Sequence, residues 1–281
     1  MPLLFVVVLA VVQGITEFLP ISSSGHLELT WRALDAAEVP HPPDQDRLVL
    51  FVAVHVGSLL AVMLYFWRDV LTMALAFVRL VRGRVGPEAK LLGAVVAGSL
   101  PLVVVGVLVK DGLIEQLYSL PVVAWATLGF GVLLLVADRL GMTVRRTEHL
   151  GLVGALTIGL AQCLALIPGT SRSGITMTAA RFLGFERAEA ARFSMLLSIP
   201  AILGAGALLG IELYETGSLQ LGLDAAYGAG LAFVSALLAI ALMMAWLCRA
   251  GFTPFVLYRL LLGMVLLWIA HLNGMAINPF L

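Results

Sequence analysis

Residues 13–26, QGITEFLPISSSGH, place an amide, a carboxylate, four hydroxyls and an imidazole directly after the apolar run 3–12. Gln13 and Glu17 stand four apart, so on a helix they share one face. Pro20 ends or kinks that helix, and Ser22, Ser23, Ser24 and Gly25 form a turn that can cap a second one. A second polar segment, residues 168–176 (PGTSRSGIT), sets the guanidinium of Arg172 among Thr170, Ser171, Ser173 and Thr176. Arginine is a fixed fork of donors suited to phosphate or carboxylate. A glycine-flanked, hydroxyl-rich turn that opens a helix adds backbone N–H groups and the positive end of a dipole. Set against each other, the two turns bring Glu17, Ser22, Ser23, Ser24 and His26 to face Ser171, Arg172 and Ser173, and that constellation suits a phosphate. A single serine of this kind more simply bonds back to a nearby carbonyl, and Arg172 has an alternative use in a salt bridge to Glu17.

These groups must be held by an apolar frame. Of 281 residues 61% are hydrophobic and 12% charged, with a mean hydropathy of +1.04, where a soluble domain has roughly a quarter of its residues charged. The reading is a single all-α polytopic membrane domain over residues 1–281. The formal net charge is zero, so nothing points to a nucleic-acid partner. Cys163 and Cys248 stand apart and read as packing residues. The N-terminus has no basic start and no small-residue cleavage pattern, and does not read as a signal peptide.

Six stretches, 48–67, 91–109, 121–137, 192–211, 226–247 and 255–271, are long and apolar enough to span. Arginines and Lys90 in 68–90, with Arg139, Arg145 and Arg146 in 138–149, mark those loops as cytoplasmic; the acidic stretches 27–47 and 212–225 read as external. Residues 150–191 then start and end on the cytoplasmic side and must dip in and return. Residues 1–46 mirror them from outside, which leaves both chain ends external. The alternative is two ordinary crossings. Gln13 and Gln162 lie 149 residues apart, as do Gly25 and Gly174. The expectation is therefore six transmembrane helices plus two re-entrant hairpins in an inverted-topology repeat, 1–140 and 150–281. His55 lies inside the first span and either lines the cavity or is a bonded interior histidine. Arg259 reads as a structurally paired cation, and Arg181, Glu186, Arg187, Glu189 and Arg192 as the solvated exit of the second hairpin.

The segment 13–26 resembles the (E/Q)xxxE motif, with its following Ser/Gly/His turn, of bacterial undecaprenyl-diphosphate phosphatases of the bacitracin-resistance type. Residues 168–176 fit that family's PGxSRSxxT segment, and similarity extends through 54–58, 66–68, 193–200 and 252–259, so nearly the whole chain is covered. The resemblance implies six spans and two re-entrant hairpins. It also implies hydrolysis of undecaprenyl diphosphate to the monophosphate at the outer face of the bacterial plasma membrane, with a divalent cation (Mg²⁺ or Ca²⁺). Position 13 is Gln where many members carry Glu, which leaves Glu17 as the one acid of the motif. On this reading Glu17, Ser23, His26 and Arg172 are the catalytic candidates. Gln13, Ser22, Ser24, Thr170, Ser171, Ser173 and Thr176 would bind substrate, with Glu17 holding the cation or activating the serine. Ser23 is the nucleophile or orients an attacking water, and His26 is base or acid. The partners implied are the polyprenyl diphosphate and membrane lipid, with a homodimer open. An inverted repeat with broken helices is also the plan of transporters, so a flippase of phosphorylated polyprenyl lipid is the competing reading.

Overall fold

The computed structural model describes residues 2–39, 44–109, 117, 119–216 and 219–274, with the side chains at 44, 45, 205–216, 219 and 220 outside the description. The described residues form eleven α-helices: α1 (Leu3–Thr16), α2 (Ser23–Ala36), α3 (Asp44–Tyr65), α4 (Trp67–Val81), α5 (Ala89–Leu108), α6 (Leu120–Leu140), α7 (Leu152–Gln162), α8 (Arg172–Phe182), α9 (Arg187–Thr216), α10 (Leu219–Leu247) and α11 (Thr253–Leu272). Five of these, in α3, α5, α6, α10 and α11, are long and apolar enough to cross a membrane. The sixth expected span, 192–211, falls in α9, where the side chains past 204 are outside the described residues. The two shorter apolar helices, α1 and α7, each lead into a turn and a return helix, α2 and α8.

Three expected loops contain helix. The arginines of 68–90 report the side of the membrane and not the backbone, and the apolar residues among them build α4. The acidic stretch 27–47 likewise begins inside α2, and 212–216 and 219–225 are helical, with 217 and 218 outside the described residues.

Helices α1 and α3 pack on α10, α7 on α5, and α6 on α11, while α8 is set among α6, α7 and α9. The crossing of α7 over α5 is close because Gly159 lies against the backbone of Gly98, where a side chain has no room. The main core gathers Phe18, Leu59, Val62, Leu134, Phe193 and Phe252. Large apolar side chains also face outward along the spans, among them Leu64, Val103, Val132, Leu242 and Leu261. In a hydrocarbon surround such a face is the correct one. Hydroxyls between helices mostly return to their own backbone: Ser58 donates to Val54 O, Ser99 to Val95 O and Thr127 to Val123 O.

Of the charges at the second hairpin's exit, Glu186, Arg187, Glu189 and Arg192 are part-exposed, and Arg181 is not solvated. Arg181 is fully buried and donates to the carbonyls of Asp138, Gly141, Met142 and Phe185. Its Nε lies 3.4 Å from Asp138 Oδ1. Asp138 also takes Arg187 at 2.7 Å and the backbone N–H of Phe252 at 3.1 Å. Arg192 binds Asp69 of α4 and Glu189. A guanidinium can satisfy helix-end carbonyls while its charge is balanced by one carboxylate, so burial there is tolerable.

Arg181→Met keeps the volume and deletes the donors. It should cost about 3–5 kcal/mol by leaving four carbonyls without their donor and Asp138 with Arg187 as its remaining cation. Arg146→Ala removes only an exposed pair with Glu186 and should leave the melting temperature in detergent unchanged within error. Equal melting temperatures for the two variants would contradict the assignment of Arg181 as an internal tie.

Candidate active site

The two turns are built alike. Ser22 stands at φ 72° and ψ 91°, and its hydroxyl accepts the N–H of Gly25 at 3.4 Å. Ser171, 149 residues on, stands at φ 68° and ψ 113°, and its hydroxyl accepts the N–H of Gly174 at 3.2 Å. Both are non-glycine residues in the left-handed half of backbone space, at a cost of order 1–3 kcal/mol each. Two reciprocal contacts clip the turns together. Ser24 Oγ accepts the N–H of Gly169 at 2.9 Å, and Ser173 Oγ donates to the carbonyl of Leu19 at 3.0 Å. Gly169 has φ 95° and lies against the Val123 carbonyl of α6, so a Cβ there would be both strained and blocked. From α11, the fully buried Arg259 donates to the carbonyls of Thr127, Gly169 and Thr170 at 3.1, 3.2 and 2.9 Å. The structural role expected of Arg259 holds, with carbonyls as its partners.

A line of polar contacts runs from α3 through the first hairpin to the second. His55 Nδ1 lies 2.7 Å from the carbonyl of Phe51, which fixes the proton on Nδ1 and leaves Nε2 as an acceptor. Gln13 donates one N–H to that Nε2 at 2.8 Å and the other to Glu17 Oε2 at 2.7 Å. Glu17 Oε1 takes Arg172 Nη2 at 2.5 Å. Gln13, Glu17 and Arg172, chosen from sequence as site residues, are thus in direct contact, and His55 joins them. The salt bridge that is the alternative to a phosphate clamp is present. It engages one side of the guanidinium only: among the described residues Arg172 Nη1 is buried without a hydrogen-bond partner, and so is Gln13 Oε1.

His26 sits one turn into α2. Its Nδ1 is 2.7 Å from the Ser22 carbonyl and its Nε2 is 2.7 Å from the hydroxyl of Tyr258, whose ring stacks on it at 5.4 Å and 7°. Tyr258 is a contact that sequence reasoning missed. It immediately precedes Arg259 in a stretch singled out for its cation, and nothing local in the sequence ties it to a residue 232 positions away.

The candidate hydroxyls divide by what already holds them. Ser22, Ser24, Ser171 and Ser173 are engaged in building and joining the turns, and Thr176 is linked to Ser194 at 2.6 Å. Ser23, at the first position of α2, is half-buried and has no hydrogen bond among the described residues. Thr170 Oγ1 is buried without a partner among the described residues. A cavity of about 440 Å³ reaches this region along Ile15, Thr16, Leu19, His26 and Tyr258. It shares Ile15, Leu19, Pro254 and Phe255 with an apolar cavity of about 630 Å³ that runs on to Trp246.

Among the described residues no three His, Cys, Asp or Glu side chains come together as a metal cluster. Glu17 and the unpartnered Gln13 Oε1 still offer two adjacent oxygens. Such a pair fits a hard cation that draws its other ligands from water and a bound phosphate.

The model of the family described as bacitracin resistance protein BacA matches residues 6–265. The undecaprenyl-diphosphatase 1 of Rhodospirillum rubrum is 53% identical over 283 residues, covering 100% of this chain and 99% of its own. The undecaprenyl-diphosphatases of Roseobacter denitrificans and Chromohalobacter salexigens are 48% and 51% identical, covering 96% and 95% of this chain and 100% and 99% of theirs. With the paired serine turns, the Gln13–Glu17–Arg172 line and a match over nearly its whole length, the chain belongs to the bacitracin resistance protein BacA family.

Proposed function

We propose that the chain is an integral membrane phosphatase that converts undecaprenyl diphosphate to undecaprenyl phosphate and inorganic phosphate in the bacterial plasma membrane. It would thereby return the lipid carrier to cell-wall synthesis and confer bacitracin resistance. The observation that carries this reading is the unpartnered Arg172 Nη1 held beside two helix-opening turns, with the uncommitted hydroxyl of Ser23 in one of them. The names of the relatives point the same way. Five apolar spans, two short apolar helices that turn back, and serine turns of matching geometry support six spans with two re-entrant hairpins in inverted repeat.

In the mechanism proposed, Ser23 Oγ attacks the terminal phosphorus, the new O–P bond forms, and the bond from that phosphorus to the bridging oxygen breaks. Prenyl monophosphate leaves. His26 Nε2 takes the serine proton and passes it to the leaving phosphate. Water then attacks the phosphoserine; His26 takes a proton from the water and returns one to Ser23 as inorganic phosphate departs. Arg172 Nη1 and the N–H groups of the two turns stabilise charge on the phosphoryl oxygens, the largest contribution to catalysis of phosphoryl transfer. Glu17 and His55, through Gln13, fix the line that orients Arg172. A bound Mg²⁺ or Ca²⁺ would be held by Glu17 and Gln13 Oε1 and would neutralise further charge on the diphosphate.

The direct test is phosphate release from undecaprenyl diphosphate by the purified protein in detergent; bound lipid without release would favour a flippase. Ser23→Ala should abolish turnover with the melting temperature unchanged, since one small free hydroxyl contributes little packing. Wild-type rates in that variant would remove Ser23 as nucleophile. Arg172→Lys keeps a charge to pair with Glu17 but loses the second arm. It should lower kcat by roughly 10²–10³, the loss seen for one oxyanion donor, with little change in KM. Gln13→Glu sets two carboxylates in contact where one amide now donates. It should make activity strictly dependent on added divalent cation and raise sensitivity to chelators, read as rate against free Mg²⁺. An unchanged cation response would place position 13 outside the cation's shell.

A further inference from the structure

Both ring nitrogens of His26 are occupied. Nδ1 donates to the carbonyl of Ser22 at 2.7 Å, and Nε2 accepts the hydroxyl of Tyr258 at 2.7 Å. A histidine in this state has no nitrogen free to receive a proton. The two contacts are unequal in what it takes to break them. The Ser22 carbonyl belongs to a fully buried residue at φ 72° whose hydroxyl caps α2, so releasing Nδ1 means undoing the turn. Tyr258 is a side chain 43% exposed, and a rotation of its χ angles releases Nε2.

Tyr258 also lines the cavity of about 440 Å³ that shares Ile15, Leu19, Pro254 and Phe255 with the apolar cavity of about 630 Å³. The larger cavity runs beside α10 from Ser235 to Trp246, about 16 Å at 1.5 Å per residue. Leu238 and Leu242 on its lining are 60% and 72% exposed. For an isoprenoid chain whose diphosphate sits at Arg172 and Ser23, these adjoining cavities offer an apolar path past His26, along which its first units pass the Tyr258 ring.

We propose that Tyr258 is a latch on His26 that an isoprenoid chain in the groove opens, making Tyr258 a residue that selects long-chain lipid diphosphates over short ones. The latch rests on the phosphatase reading. With the groove empty, the tyrosine hydroxyl holds Nε2. A chain seated against Phe255 and Leu19 takes the space beside the ring and favours the rotated state, in which Nε2 is free. A short diphosphate makes the contacts at Arg172 and leaves the latch closed most of the time. The ligand's differential affinity for the open state is the whole of the effect.

Tyr258→Phe keeps the stacked ring and removes the hydroxyl. Its kcat is compared with that of the unaltered protein on undecaprenyl diphosphate and on a short, water-soluble prenyl diphosphate. With a latch, kcat on the short substrate rises several-fold to about tenfold, the reach of one neutral hydrogen bond. On the long substrate kcat stays constant and KM falls, because the chain no longer has to open anything. A tyrosine that only positions His26 gives a lower kcat on both substrates by the same factor, and that result overturns the latch; so does no change on either. A second variant guards against loss of fold in the first. Ala239→Phe narrows the groove on α10 away from His26 and should bring kcat on the long substrate down toward the short-substrate value, while an unchanged long-substrate kcat refutes the groove's part. No phosphate from either substrate with the unaltered protein overturns the phosphatase reading and the latch with it.

Discussion

Backbone that leaves a helix inside an apolar bundle has no water to bond, and this constraint shapes everything around the two turns. Each turn answers it with the other. The Gly169 N–H goes to Ser24 and the Leu19 carbonyl to Ser173, while the carbonyls of Gly169 and Thr170 go to Arg259. Neither hairpin tip is satisfied alone, so the two must fold against each other. The neighbouring helices serve that contact: α6 approaches Gly169 so closely that only glycine fits, and α11 delivers a buried guanidinium to the carbonyls.

The Glu17–Arg172 pair should be weighed against the same low-dielectric background. A buried ion pair about breaks even against the desolvation of its partners, whereas losing one partner is strongly destabilising. Its value here is position. Gln13, itself anchored on His55, holds one carboxylate oxygen, Arg172 takes the other, and the guanidinium is left with its second arm open. The pair is also electrically neutral as it stands. A diphosphate brought beside it adds negative charge that Arg172 alone does not balance. Charge balance therefore supports the proposed divalent cation, as do the oxygens of Glu17 and Gln13.

What could be read from the sequence was local or periodic. Gln13 and Glu17 share a helix face by spacing alone, and the structure joins them through one hydrogen bond. The serine turns could be matched because they recur at a fixed interval, and their backbone angles agree closely. Contacts set by tertiary packing left no such trace. Arg181 sits among other charges and reads as solvated, and the carbonyls that bury it are invisible in side-chain chemistry. Tyr258 meets His26 only because α11 crosses α2. The helix α4 was hidden by its own arginines, which fix the side of a membrane and leave the backbone open.

The matched turns raise the question of why strain is kept at Ser22 and Ser171 when glycine would relieve it. Glycine would lose the oxygen that accepts the N–H of Gly25 or Gly174 and touches the serine two positions on. The hydroxyl fixes the start of the helix, and with it the direction of the residue that follows. That residue is Ser23 in one turn and Arg172 in the other, at corresponding positions. One backbone device, used twice, thus presents a free hydroxyl from one hairpin and a half-free guanidinium from the other. In the proposed mechanism, the asymmetry that phosphoryl transfer needs, an attacking oxygen on one side and a cation on the other, comes from the difference between two side chains on equivalent scaffolds. A change at either capping serine should therefore disturb the chemistry through aim, before it disturbs the fold.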